Sequence, residues 1–184
     1  MRIKIVLLTA LFLVFSSTGF TQSETPTFTQ YAAEVETIKN IQVNLTSHKY
    51  ANSYRTNLRK AAKEGVNFAG HYILTSWGCG TNCSQSAIID ARDGAVFFPT
   101  EFAGLNNGFC ELPEVSDPTD APQMPDDLEA PVLYKAASRL LVLRGYKGGD
   151  FNNKNGRCGV YYLEWTGTEF KQVKFVEGKR SETP

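Results

Sequence analysis

The sequence predicts an α+β domain, with an N-terminal helix or helices packed on an antiparallel sheet of about six strands. Three observations predict it. Apolar residues recur at helical spacing up to Gly65 and switch to period two from Gly70. Turn signals at Asp93-Gly94 and Thr166-Gly167 divide the alternating runs into two three-stranded β-meanders. Those meanders are propeller-blade-like, but six strands are too few to close a propeller.

Each element has its own grounds. Tyr31, Val35 and Ile38 recur at i, i+4 and i+7, the spacing of a short helix, and Ile41, Val43 and Leu45 alternate as a brief strand would. Tyr54, Leu58, Ala61 and Ala62 form the apolar stripe of the clearest helix, with Ser53 or Ser47 as its cap and Gly65 suited to the left-handed residue past its end. Arg55, Arg59 and Lys63 lie one turn apart on another face, a solvated stripe or an anion-binding one. From Gly70, His71, Ile73, Thr75 and Trp77 point to one side, and Tyr72, Leu74 and Ser76 to the other. Ser86 to Ala91 and Ala95 to Phe98 complete the first meander. Thr100 to Pro131 is a long, acidic, proline-rich connection carrying Glu111, Glu114, Asp117, Asp120, Asp126, Asp127 and Glu129. Leu140 to Leu143 reads as a strand buried on both faces, followed by the hairpin Gly159 to Trp165 and Glu169 to Val176; Gly178 to Pro184 is expected to fray.

Residues 1–22 read as an export signal: Arg2 and Lys4 precede an apolar run from Ile5 to Phe15, and Ser16 to Gly19 supply the small residues of a cleavage site between Gly19 and Gln22. The run is shorter than the roughly 20 residues a membrane span requires, which favours cleavage over anchoring. The remaining 23–184 are expected to form one globular domain, placed in the periplasm or outside the cell, with no membrane span after cleavage. It would carry 17 basic and 19 acidic residues, a formal charge of −2. That balance argues against nucleic acid as a partner, because neutralising phosphates takes a basic surface.

All four cysteines, Cys79, Cys83, Cys110 and Cys158, fall in the mature part, and an even count in an exported chain favours disulfides. Cys79 with Cys83, and Cys110 with Cys158, is the preferred pairing; Cys79 or Cys83 with Cys158 is the rival. The chemical alternatives fit less well. A zinc site from His71, Cys79 and Cys83 has unusual spacing and needs reduced thiolates. A redox pair at Cys79 and Cys83 has three intervening residues and flanking strands, not two residues at a helix start. Asp150 to Gly156 fails the helix-loop-helix calcium pattern, since Phe151 would stand at position one. His48 reads as surface or cap, and Asn44 and Asn82 match the glycosylation pattern.

Asn67-Phe-Ala-Gly-His-Tyr72, followed by Trp77-Gly-Cys-Gly-Thr-x-Cys83 and a strand ending in Asp90, resembles a largely uncharacterised family of exported bacterial proteins. The resemblance runs from about Tyr54 to the last hairpin. It implies location and architecture, and no activity.

The resulting expectation is an exported, disulfide-braced, non-enzymatic binding or inhibitor-like module for an envelope protein or ligand, with no cofactor and no metal. His71, Trp77 and Asp90 are the candidate binding residues, sharing one edge of the sheet with the cysteine corner and the acidic loop. The alternative is a small hydrolase or thiol-dependent enzyme using His71 with Asp90 or a cysteine.

Overall fold

The computed structural model describes residues 24–80, 83–102, 110–113, 118–122, 132–148 and 156–180. The expected export signal, Asn82, the calcium-like loop up to residue 155 and most of the acidic connection lie outside them. Within them the chain is α+β: a single helix, α1 (Arg55–Glu64), and nine strands, all paired antiparallel. The strands are β1 (Tyr72–Gly80), β2 (Cys83–Asp90), β3 (Val96–Phe97), β4 (Cys110–Glu111), β5 (Val132–Tyr134), β6 (Leu140–Tyr146), β7 (Cys158–Trp165), β8 (Phe170–Glu177) and β9 (Lys179–Arg180).

The two meanders form separate sheets, not the expected single sheet of six strands. One is β1-β2-β3 and the other β5-β6-β7-β8, while β4 and β9 make a two-stranded ribbon. Alternation along each strand then builds the layers. Tyr72 and Leu74 of β1, with Ile88 of β2, face Leu141, Leu143, Tyr161, Leu163 and Trp165 of the four-stranded sheet. Ile73, Ala87 and Ile89 face the other way, onto Leu58, Ala61 and Ala62 of α1. On the far side of the four-stranded sheet, Leu140, Val142, Val160 and Tyr162 pack on Phe28, with Leu112 and Ala121 beside them. Apolar side chains on both faces explain why Leu140 to Leu143 is an unbroken apolar run.

Where the sequence suggests a helix from Tyr31 to Ile38, only a 3₁₀ turn forms, at Thr29–Tyr31. The chain continues as an extended strap whose hydrogen bonds go to distant residues: Ala33 N–H to Ala137 O, Glu36 N–H to Gly70 O and Asn44 N–H to Gly94 O. Ile41, Val43 and Leu45 pack against the α1 layer without joining a sheet. Neither serine caps α1. Its cap position is Tyr54, with no side-chain bond, and overlapping turns from His48 lead into it, the last bonding Arg55 N–H to Asn52 O. Ser47 Oγ accepts from Val96 N–H instead, at 2.9 Å. Gly65 does end the helix, at φ +88°. Lys179–Arg180 does not fray; it pairs with β4, beside the Cys110–Cys158 disulfide.

The Asn67-to-Tyr72 motif has a physical account. Phe68 and Tyr72 close a tight turn through reciprocal backbone hydrogen bonds, with Ala69 (φ +46°) and Gly70 (φ +87°) between them. Gly70 also admits the strap: a Cβ there would stand 2.6 Å from the Glu34 carbonyl oxygen. Asn67 then serves β1 as a one-residue neighbour. Its Oδ1 accepts from Leu74 N–H at 2.7 Å, and its Nδ2 donates to Leu74 O at 2.9 Å.

Candidate functional site

The sequence-derived candidates separate into two places. His71 and Asp90 meet at the start of β1, where the register sets Tyr72 opposite Asp90. Trp77 lies six residues along β1, about 20 Å away at the rise of an extended strand. The described part of the acidic connection belongs to neither place. Asp120 sits against the N-terminal turn, accepting from Phe28 N–H (2.9 Å), Thr29 N–H (2.8 Å) and Thr29 Oγ1 (2.7 Å). Burial works to raise its carboxyl; those hydrogen bonds and the Lys135 charge outweigh it and hold the group below its ordinary value.

At the first place, His71 stands between two carboxylates. Its Nδ1 is 3.7 Å from Glu36 Oε1 and its Nε2 is 3.6 Å from Asp90 Oδ2. These are ion-pair distances, too long for hydrogen bonds. The ring is 16 % exposed and stacks on Tyr72 at 4.2 Å. Glu36 is held in turn by Arg92, which donates to both carboxylate oxygens, and the Arg92 hydrogen bond is the main reason the Glu36 carboxyl is lowered. Asp90 Oδ1 accepts from Arg92 N–H at 2.9 Å. Burial, followed by the Asp90 charge, raises the Tyr72 phenol. A base in nucleophilic catalysis turns one ring nitrogen to an orienting carboxylate and the other to the nucleophile. Here both nitrogens face carboxylates, so the cluster joins the strap (Glu36) to the first sheet (Asp90, Arg92).

The second place is aromatic. Trp77 packs on Tyr54 with ring centres 5.0 Å apart, Tyr54 on Phe98 at 5.8 Å, and Phe98 on His48 at 4.8 Å and Tyr50 at 6.0 Å. Tyr50 is 48 % exposed and the other rings are partly so. Lys49 Nζ lies 4.8 Å from the centre of the Tyr50 ring. The irregularity between Gly78 and Gly80 lies just beyond this face, in the last residues of β1. Sequence reading placed Tyr54 on the helix stripe but missed Tyr50 and Phe98 as its neighbours, because loop and strand meet there only in three dimensions.

Cys110 and Cys158 are bonded to each other, closing 48 residues of chain. Cys79 is also disulfide-bonded. The Cys83 side chain, on which the expected Cys79–Cys83 pairing depends, lies outside the described residues. A thiol mechanism at Cys79, Cys110 or Cys158 therefore has no thiolate to use. Among the described residues no group of three or more His, Cys, Asp or Glu side chains is placed to hold a metal ion, and no helix is long and apolar enough to cross a membrane. Comparison with protein-family models, curated proteins and solved structures finds no match.

Proposed function

We propose that this chain is an exported binding module of the bacterial family its central motif resembles, recognising an envelope protein or ligand without catalysis. The observation that carries the reading is the contiguous aromatic face of His48, Tyr50, Tyr54, Trp77 and Phe98, partly open to solvent at one end of the first sheet. Large rings held rigid by their neighbours bury much apolar area at low entropic cost, which makes them the usual anchors of recognition. The Cys110–Cys158 bond is compatible with an oxidising compartment. The enzymatic alternative draws on the His71–Asp90 approach, and is weaker because Glu36 occupies the other ring nitrogen.

The test compares recovery of partners from envelope extract by the wild type and by a Tyr50→Ala/Trp77→Phe variant, the second change keeping an aromatic ring on Tyr54. Loss of a partner that the wild type retains supports the aromatic face. Equal recovery by the folded variant rejects it. Hydrolysis of a panel of esters and amides that disappears with His71→Ala would reinstate the enzyme.

A further inference from the structure

The strap is pinned at Glu36 and at Asn44. Between the strap and α1 lies a cleft of about 720 Å³, lined by Ile38 to Val43 on one side and by Arg59, Ala62, Lys63 and Gly65 on the other. That volume lies within the range of small-molecule sites. Ile38, Ile41 and Val43 give the cleft an apolar wall, being only partly covered by the core beneath them. Its charged lining is Lys39, Arg59 and Lys63, with no acidic residue among them. None of the three has an ion-pair partner among the described residues, although the chain as a whole has as many acids as bases. The acid of α1, Glu64, is not part of that lining; its charge acts with burial, the larger cause, to raise the Tyr134 phenol. Asn40 turns the strap at φ +56° and, with Gln42, adds amide side chains to the rim.

We propose that this cleft binds a small amphipathic anion, a carboxylate or phosphate head on a short apolar body. Lys39, Arg59 and Lys63 would hold the head, and Ile38, Ile41 and Val43 the body. Like charges gathered round a concave apolar wall repel one another until an anion neutralises them, and the wall raises the local field that draws the anion in. Arg59 supplies a fork that matches either head group. The site is separate from the aromatic face, so either proposal can fail while the other stands.

The experiment titrates the ¹⁵N-labelled protein with octyl phosphate, octanoate, inorganic phosphate and octanol, following backbone amides by NMR. Saturable shifts confined to residues 38–43 and 59–65 are expected with octyl phosphate or octanoate, and whichever binds more tightly identifies the head group. Inorganic phosphate and octanol should each bind at least about tenfold more weakly, since each lacks one half of the ligand. Arg59→Gln/Lys63→Gln, which keeps good helix formers at exposed positions, should weaken the anion about tenfold. Absence of saturable shifts at these residues overturns the proposal. So does equal binding by the glutamine variant while its helix content is unchanged, or binding of octyl phosphate no tighter than that of inorganic phosphate.

Discussion

Replacing Asn67 with alanine removes both hydrogen bonds that flank Leu74, the 2.7 Å bond to its N–H and the 2.9 Å bond from the Asn67 amide to its carbonyl. Leu74 is 7 % exposed, so water restores little of what is lost. Two hydrogen bonds at about 1 kcal/mol each, with part of the cost of leaving two backbone groups unpaired, give about 2–3 kcal/mol of destabilisation. For a domain of this size that is about 6–9 °C in Tm. Asn67→Asp separates the donor from the acceptor. The introduced carboxylate still accepts from Leu74 N–H but faces the Leu74 carbonyl with no proton, and protonation restores the donor. Its pKa is therefore raised in the folded state above the unfolded value of about 3.9. The stabilisation from that proton is fully present below the unfolded value and is lost as pH rises through the folded one. Urea unfolding should show Asn67→Asp about 1 kcal/mol closer to wild type at pH 4 than at pH 7.5, with Asn67→Ala showing no such recovery. A cost below about 0.5 kcal/mol for Asn67→Ala, the level of an ordinary surface substitution, would refute the reasoning. So would a pH-independent gap for Asn67→Asp.

Replacing Cys110 and Cys158 together by alanine should lower stability by up to about 4 kcal/mol from loop closure over 48 residues, measured by denaturant unfolding against the wild type. Gly94→Ala places a Cβ 1.9 Å from the Gln42 carbonyl oxygen at φ +76°, so it should cost at least about 2 kcal/mol and raise amide exchange at Asn44, whose N–H bonds to Gly94. Because the Asp120 carboxyl is lowered in the folded state, its stabilising contribution is present above the unfolded value and is lost as pH falls through the folded one. Amide protection at Phe28 and Thr29 should accordingly drop as pH falls below the ordinary aspartate value of about 3.9 in the wild type, and Asp120→Asn should remove that dependence.

Local signals carried much of this fold. The stripe of Tyr54, Leu58, Ala61 and Ala62 with Gly65 behind it marks α1 because every determinant lies within three turns. Asp93-Gly94 marks its turn for the same reason, helped by the 2.8 Å bond from Ala95 N–H to Asp93 Oδ1. The strap was illegible because what decides it is distant: Val35 and Ile38 have helical spacing, yet Glu36 N–H finds Gly70 and Ala33 N–H finds Ala137. Period two identifies a strand without naming its sheet, so two stacked meanders read as one. The His71–Asp90 approach was legible from adjacent strands, with Arg92 two residues beyond Asp90, whereas Glu36, which sets the character of the cluster, came from a strap with no sequence sign of proximity. The cleft was half visible, since Arg59 and Lys63 stood on one helix face while Lys39 lay on a segment misread as leading out of a helix.

The strap also fixes an order of events. Ser138 Oγ donates to Phe28 O and the Arg139 guanidinium to Ala32 O, across sequence separations of 110 and 107 residues. Phe28 is delivered well before these partners, because a chain emerges N-terminus first from the ribosome and from an export channel alike. Throughout that interval α1 and the first meander can assemble, since their contacts are local, while the strap's carbonyls and the Phe28 ring stay uncovered. Strap docking is therefore among the last steps of folding and the first to reverse. Substitutions along it should change how fast the protein opens and leave the rate at which it folds nearly untouched.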